Sequence, residues 1–182
     1  GAGTNTLGGT LQGAGKIVVG RGTTTLNSTN VTVASLALDG GNIGATLTLG
    51  NDVTYGGIFS FDFQFDTLQL NGRTLTLSGS GSTLNGNQVN GTGTLKVTGS
   101  ASIGGNLSLG TSYGDWNPVT LQNAGSISQT GGVGLNGTLQ IGAGKTYTIT
   151  TAATLSSRGV NGATVLNNGT IAVNGAGNDV IN

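Results

Sequence analysis

Six aspartates are the only acidic side chains in this chain of 182 residues, which contains no histidine, cysteine, methionine or glutamate. Any acid–base chemistry would therefore rest on carboxylates. The closest two are Asp62 and Asp66, in the run Phe59-Ser60-Phe61-Asp62-Phe63-Gln64-Phe65-Asp66. Glycosidases hold two carboxyls about 5–10 Å apart. Four residues along one strand span about 13 Å, too far for that geometry. The missing His and Cys remove the usual transition-metal ligands and most nucleophile–base pairs. No glycine-rich phosphate loop with its Lys-Ser/Thr pair occurs. The sequence thus assigns no catalytic residue and no cofactor, and the expectation is a protein that is not an enzyme.

Binding is the other chemistry to weigh. All four phenylalanines alternate between residues 59 and 65, and Ser60, Asp62, Gln64 and Asp66 take the intervening positions. Period-two alternation predicts one long strand over residues 55–66, apolar on one face and polar on the other. Its plain use is an aromatic face packed on the rest of the fold. Its sharper use is a surface for a partner or ligand, with Asp62, Gln64 and Asp66 as the polar contacts. The second candidate is Tyr113-Gly114-Asp115-Trp116-Asn117-Pro118, which holds the only Trp and the only Pro. Glycine and the X-Pro step make it a loop. Trp116, with Tyr113, can stack on a sugar ring or simply cover the flank of the fold. The basic residues Lys16, Arg21, Arg73, Lys96, Lys145 and Arg158 are scattered, and the net charge is zero. They read as solvated positions, and the electrostatic footprint of a nucleic-acid binder is missing.

The elements that must position these residues follow from a recurring phrase: glycine, threonine, then apolar, polar, apolar. It appears as Gly137-Thr138-Leu139-Gln140-Ile141 and Gly169-Thr170-Ile171-Ala172-Val173, and more loosely as Gly144-Lys145-Thr146-Tyr147-Thr148-Ile149. Each copy is a short strand with one buried face, set off by Gly or Asn-Gly corners. Similar short strands run through the whole chain, and no stretch has helical spacing. Recurrence at a period of tens of residues predicts an all-β, single-stranded parallel β-helix, a β-solenoid with about 20 residues per coil and about eight or nine coils. Spaced at about 4.8 Å, these would form a rod of about 40 Å. An antiparallel sandwich also uses short strands and Gly/Asn turns, but its strands need not resemble one another. A narrow interior suits Leu, Ile, Val, Ala and Thr. Threonines, and asparagines such as Asn123, Asn136, Asn161, Asn167 and Asn168, are expected to form ladders on equivalent positions. The whole of residues 1–182 reads as one domain.

The Leu135–Val173 phrases resemble, in style, the β-helical repeats of bacterial surface exoproteins: autotransporter passengers, two-partner-secreted haemagglutinin-type adhesins and large repeat adhesins. The likeness implies a right-handed β-helix, secreted or displayed on a bacterial surface. The aromatic run is not part of that style. The last nine residues resemble the calcium-binding RTX nonapeptide at Gly175, Gly177, Asp179 and Ile181, which implies a calcium contact through Asp179. That family places calcium between two successive repeats, and one is present here. The opening GAGTNT lacks an initiator Met and a signal peptide, as expected of a processed or excised segment. No apolar run approaches the roughly 18 residues of a membrane span. Sequons such as Asn136-Gly137-Thr138 are expected by chance in a chain so rich in Asn and Thr. Both ends continue the repeat style without a polar cap, which predicts self-association through coil ends or continuation into other coils. The functional expectation is a structural or adhesive rod that can assemble into filaments. The alternatives are a module that binds a surface glycan and, further off, a polysaccharide-degrading β-helix enzyme.

Overall fold

A computed structural model describes residues 3–86, 88–110, 118–150, 153–158, 163–175 and 180–181. Short strands of alternating burial stack in parallel into three sheets of nine, eight and six strands. The fold is a parallel β-solenoid with about 22 residues per turn. From Thr10–Val19 to Thr170–Val173 the chain takes seven steps along the eight-stranded sheet, giving about seven turns. That is fewer turns than the sequence suggested, because each is longer than expected. At about 4.8 Å per step the stack is about 34 Å long. Among the described residues the one helical segment is a 3₁₀ turn at Gly41–Ile43. No helix among them is long and apolar enough to cross a membrane.

The recurring phrase is the unit of stacking. Thr146–Ile149 lies beside Thr170–Val173 with Thr146 opposite Thr170 and Tyr147 opposite Ile171. Gly137–Ile141 lies in the six-stranded sheet, opposite Val119–Asn123. Along that sheet one column reads Thr74, Thr94, Thr120, Thr138, Thr164, and the next reads Leu75, Leu95, Leu121, Leu139, Val165. The threonines are partly exposed until the last rung, and Leu75 to Leu139 are fully buried. The threonine ladder is as expected. An asparagine ladder through Asn123 is not: its neighbours are Val97 and Ile141, and it sits in the interior, donating from its amide to the Thr146 carbonyl at 2.9 Å. Asn161 lies outside the described residues.

The N-terminal turns are built differently. Thr10–Val19 and Asn30–Leu38 are long strands that pair with one another across a register shift between Gly13 and Lys16. The six-stranded sheet begins only at Val53–Tyr55. From there each described turn supplies a strand to every sheet.

Candidate functional site

The aromatic run does not form the single strand that its alternation predicts. The strand Ile58–Phe61 ends after four residues, and a corner of five residues, 62–66, leads to Thr67–Gln69. Phe59 and Phe61 point into the core and are fully buried. Phe63 and Phe65 are exposed on the corner, Phe65 to 50%. The interior accommodates two of the rings where Ile58–Phe61 pairs with Ser35–Leu38, and the chain then leaves the sheet. Period-two alternation marks the sequence potential for a strand, but only the solenoid's cross-section sets where that strand must stop.

The corner separates the three polar residues that the sequence placed on one face. Asp62 and Gln64 are exposed, while Asp66 is completely buried. Asp66 Oδ1 accepts hydrogen bonds from the Gly40 N–H at 3.1 Å and the Ala45 N–H at 2.8 Å. It thereby fastens the corner of the preceding turn, which includes Gly41–Ile43. Its Oδ2 is buried without a hydrogen-bond partner. Burial pushes its carboxyl above the ordinary value, the two backbone N–H bonds oppose this, and the charges of Asp39 and Asp62 add to the rise. Asp66 is thus a structural carboxylate, and the expectation that it shares a ligand-facing surface with Asp62 is corrected.

Asp62 and Gln64 do reach a groove of about 530 Å³, together with Phe65, Asn85, Asn106, Ser108 and Arg158. It follows the corner between the eight- and nine-stranded sheets. The described corners 104–106 and 130–132 have three residues each, against five at 62–66. Hydrogen bonds run along this corner. Asn85 Nδ2 donates to Asp62 Oδ1 at 3.1 Å, and the Gly104 N–H donates to Asn85 Oδ1. The far end of the groove is Arg158. Its side chain lies across Gly134, where a Cβ would fall 2.2 Å from its Cδ. Nη1 donates to Ser108 Oγ at 2.7 Å. A smaller hollow of about 50 Å³ continues along Ser108, Gly134, Thr154 and Ser156.

The sequence singled out Asp62 and Gln64 but missed Asn85, Asn106 and Ser108, and it read Arg158 as merely solvated. These four residues lie 23 to 96 positions beyond Asp62, and only the coil register brings them together. Counting the corner offsets from turn to turn would have paired Asp62 with Asn85. Tyr113 and Trp116 lie outside the described residues, as does Asp179. Among the described residues no group of three or more acidic side chains could hold a metal ion. The groove offers what recognition of hydroxyl-rich ligands needs: planar amide, carboxylate and guanidinium groups beside a half-exposed ring. Compared with models of protein families, with curated proteins and with solved structures, the chain finds no match.

Proposed function

We propose that this chain is a non-enzymatic structural or adhesive rod, secreted or held at a bacterial surface or in an extracellular matrix. It joins other coils end to end, in a longer chain or in another copy. One observation carries the reading. The interior columns are sealed along the rod and lose their cover at the last described rungs, where Val165 is 39% exposed against 0% for Leu121 and Leu139 in the same column. At the other end Leu7, Leu11 and Ile17 are only partly buried. A further coil would extend both the backbone ladder and the apolar column, and stacking of copies by a contact that does not close gives a fibre. The stylistic likeness to bacterial exoproteins supports the location.

Electron microscopy and sedimentation across a concentration series test this reading. Fibres that lengthen with concentration make the chain a self-assembling subunit. Single short rods at every concentration remove self-assembly. New reducing ends or unsaturated products from a polysaccharide incubated with the chain would overturn the non-enzymatic reading. A second function, glycan binding, is favoured by the corner groove with its exposed Phe65 and planar polar side chains.

A further inference from the structure

We infer that the corner groove binds a short saccharide that carries a carboxylate at one end, with the acid on Arg158 and neutral hydroxyls on the Asp62 end. This rests on the glycan-binding reading and makes it specific. The composition of the groove selects the class. Asp62, Gln64 and Asn106 each carry two polar atoms in a plane, a spacing that can engage neighbouring hydroxyls, and the Asn85 amide holds the Asp62 carboxylate in place. Phe65 offers a half-exposed ring face for the apolar side of a sugar ring. The groove is mainly polar and has one cationic residue, so neither an apolar ligand nor a polyphosphate is matched.

The charges set the direction. Asp62 follows the strand Ile58–Phe61 at one end, and Arg158 reaches in from the other. Register places Ser108 opposite Gly134, and Gly134 opposite Ser156. Arg158 therefore lies back over about two rungs, roughly 10 Å, to touch Ser108. Gly134 leaves the space for it, since any side chain there would meet the guanidinium arm. The contact with Ser108 holds the planar fork in place, so less freedom is lost when it grips a carboxylate with two parallel bonds. Asp62 would repel a second acid at its own end. A ligand with its charge at one terminus fits, and a chain acidic at every ring does not.

The test is isothermal titration calorimetry of the full chain with a neutral hexose disaccharide and with the same disaccharide ending in a hexuronate. The acidic probe is expected to bind about tenfold more tightly, the gain of a charge-assisted over a neutral hydrogen bond. Arg158→Gln should abolish that ratio, and Asp62→Asn and Phe65→Ala should weaken both probes. Since Arg158 also covers Gly134, Gln64→Ala and Phe65→Ala test the groove without touching that contact, and thermal melts verify their folding. Equal affinity of the two probes for the unaltered chain overturns the acidic assignment. Acid-selective binding that survives all four substitutions overturns this site but leaves glycan binding standing. A glycan array on which nothing acidic or neutral binds overturns both.

Discussion

Asp66 shows how one residue's role depends on where its carboxylate ends up. In the sequence it is the fourth polar position of an alternating run; in the fold it is a buried acceptor for the Gly40 and Ala45 N–H groups. Removing it by Asp66→Ala leaves two backbone donors unsatisfied and should cost about 2 kcal/mol in denaturant unfolding. Its raised pKa fixes the sign of a pH effect. The folded state holds the proton more tightly than the unfolded chain, whose value is near 3.8. The Asp66 contribution to stability is therefore greatest below that value and declines as pH rises through the folded value. Asp66→Asn removes this dependence. Unfolding in urea at about pH 3.5 and about pH 7 should show the variant gaining on the unaltered protein at the higher pH. A constant difference would contradict this assignment of the charge.

Corners, more than strands, are the elements that individualise this solenoid. Short strands of alternating Thr and Leu were legible because their period is local and each face has one destiny. The stop at Phe61 was not, because the next two phenylalanines continue the same period. What ends the strand is the width of the stack, a property of three sheets together. Glycine at the corners can be divided by the same reasoning. A Cβ on Gly99 would lie 1.9 Å from the Gly79 carbonyl oxygen, one turn back. Gly99→Ala should thus cost about 2–3 kcal/mol, since backbone must shift in both turns. Gly15 has open space around it and no left-handed φ. Gly15→Ala should be neutral to about 1 kcal/mol stabilising, through the unfolded chain. Thermal or denaturant unfolding of the two variants checks the contrast, and a similar cost for both would remove close coil approach as the reason for the Gly99 position.

At the scale of the molecule, every rung leans on its two neighbours, so stability is a sum of interfaces. The leucine column of the six-stranded sheet makes this measurable. Leu121 has a rung on each side and no exposed surface, so Leu121→Ala should cost about 3 kcal/mol. Val165 occupies the same column but is 39% exposed, so Val165→Ala should cost less than about 1 kcal/mol. If end-to-end assembly occurs, that substitution should also shorten the fibres, because Val165 is then covered by the next copy. Equal costs for the two substitutions in the isolated chain would mean that the last rung is covered after all.

By itself the sequence determined the architecture: parallel short strands, glycine corners, an aliphatic interior and a threonine ladder. Those features repeat, and a repeat is visible without knowing what it touches. It also pointed to Asp62 and Gln64, since they interrupt an aromatic run. The tertiary structure alone decided that Asp66 turns inward, that the aromatic run breaks in two, and that Arg158 lines the same groove as Asp62. These depend on turn length and register accumulated over several coils. Corners of unequal length are absorbed without moving the strands: five residues separate Phe61 from Thr67 and three separate Leu84 from Gln88, yet Phe61 faces Leu84 and Thr67 faces Gln88. Which side chains meet is set by that alignment between turns, and no local pattern records it.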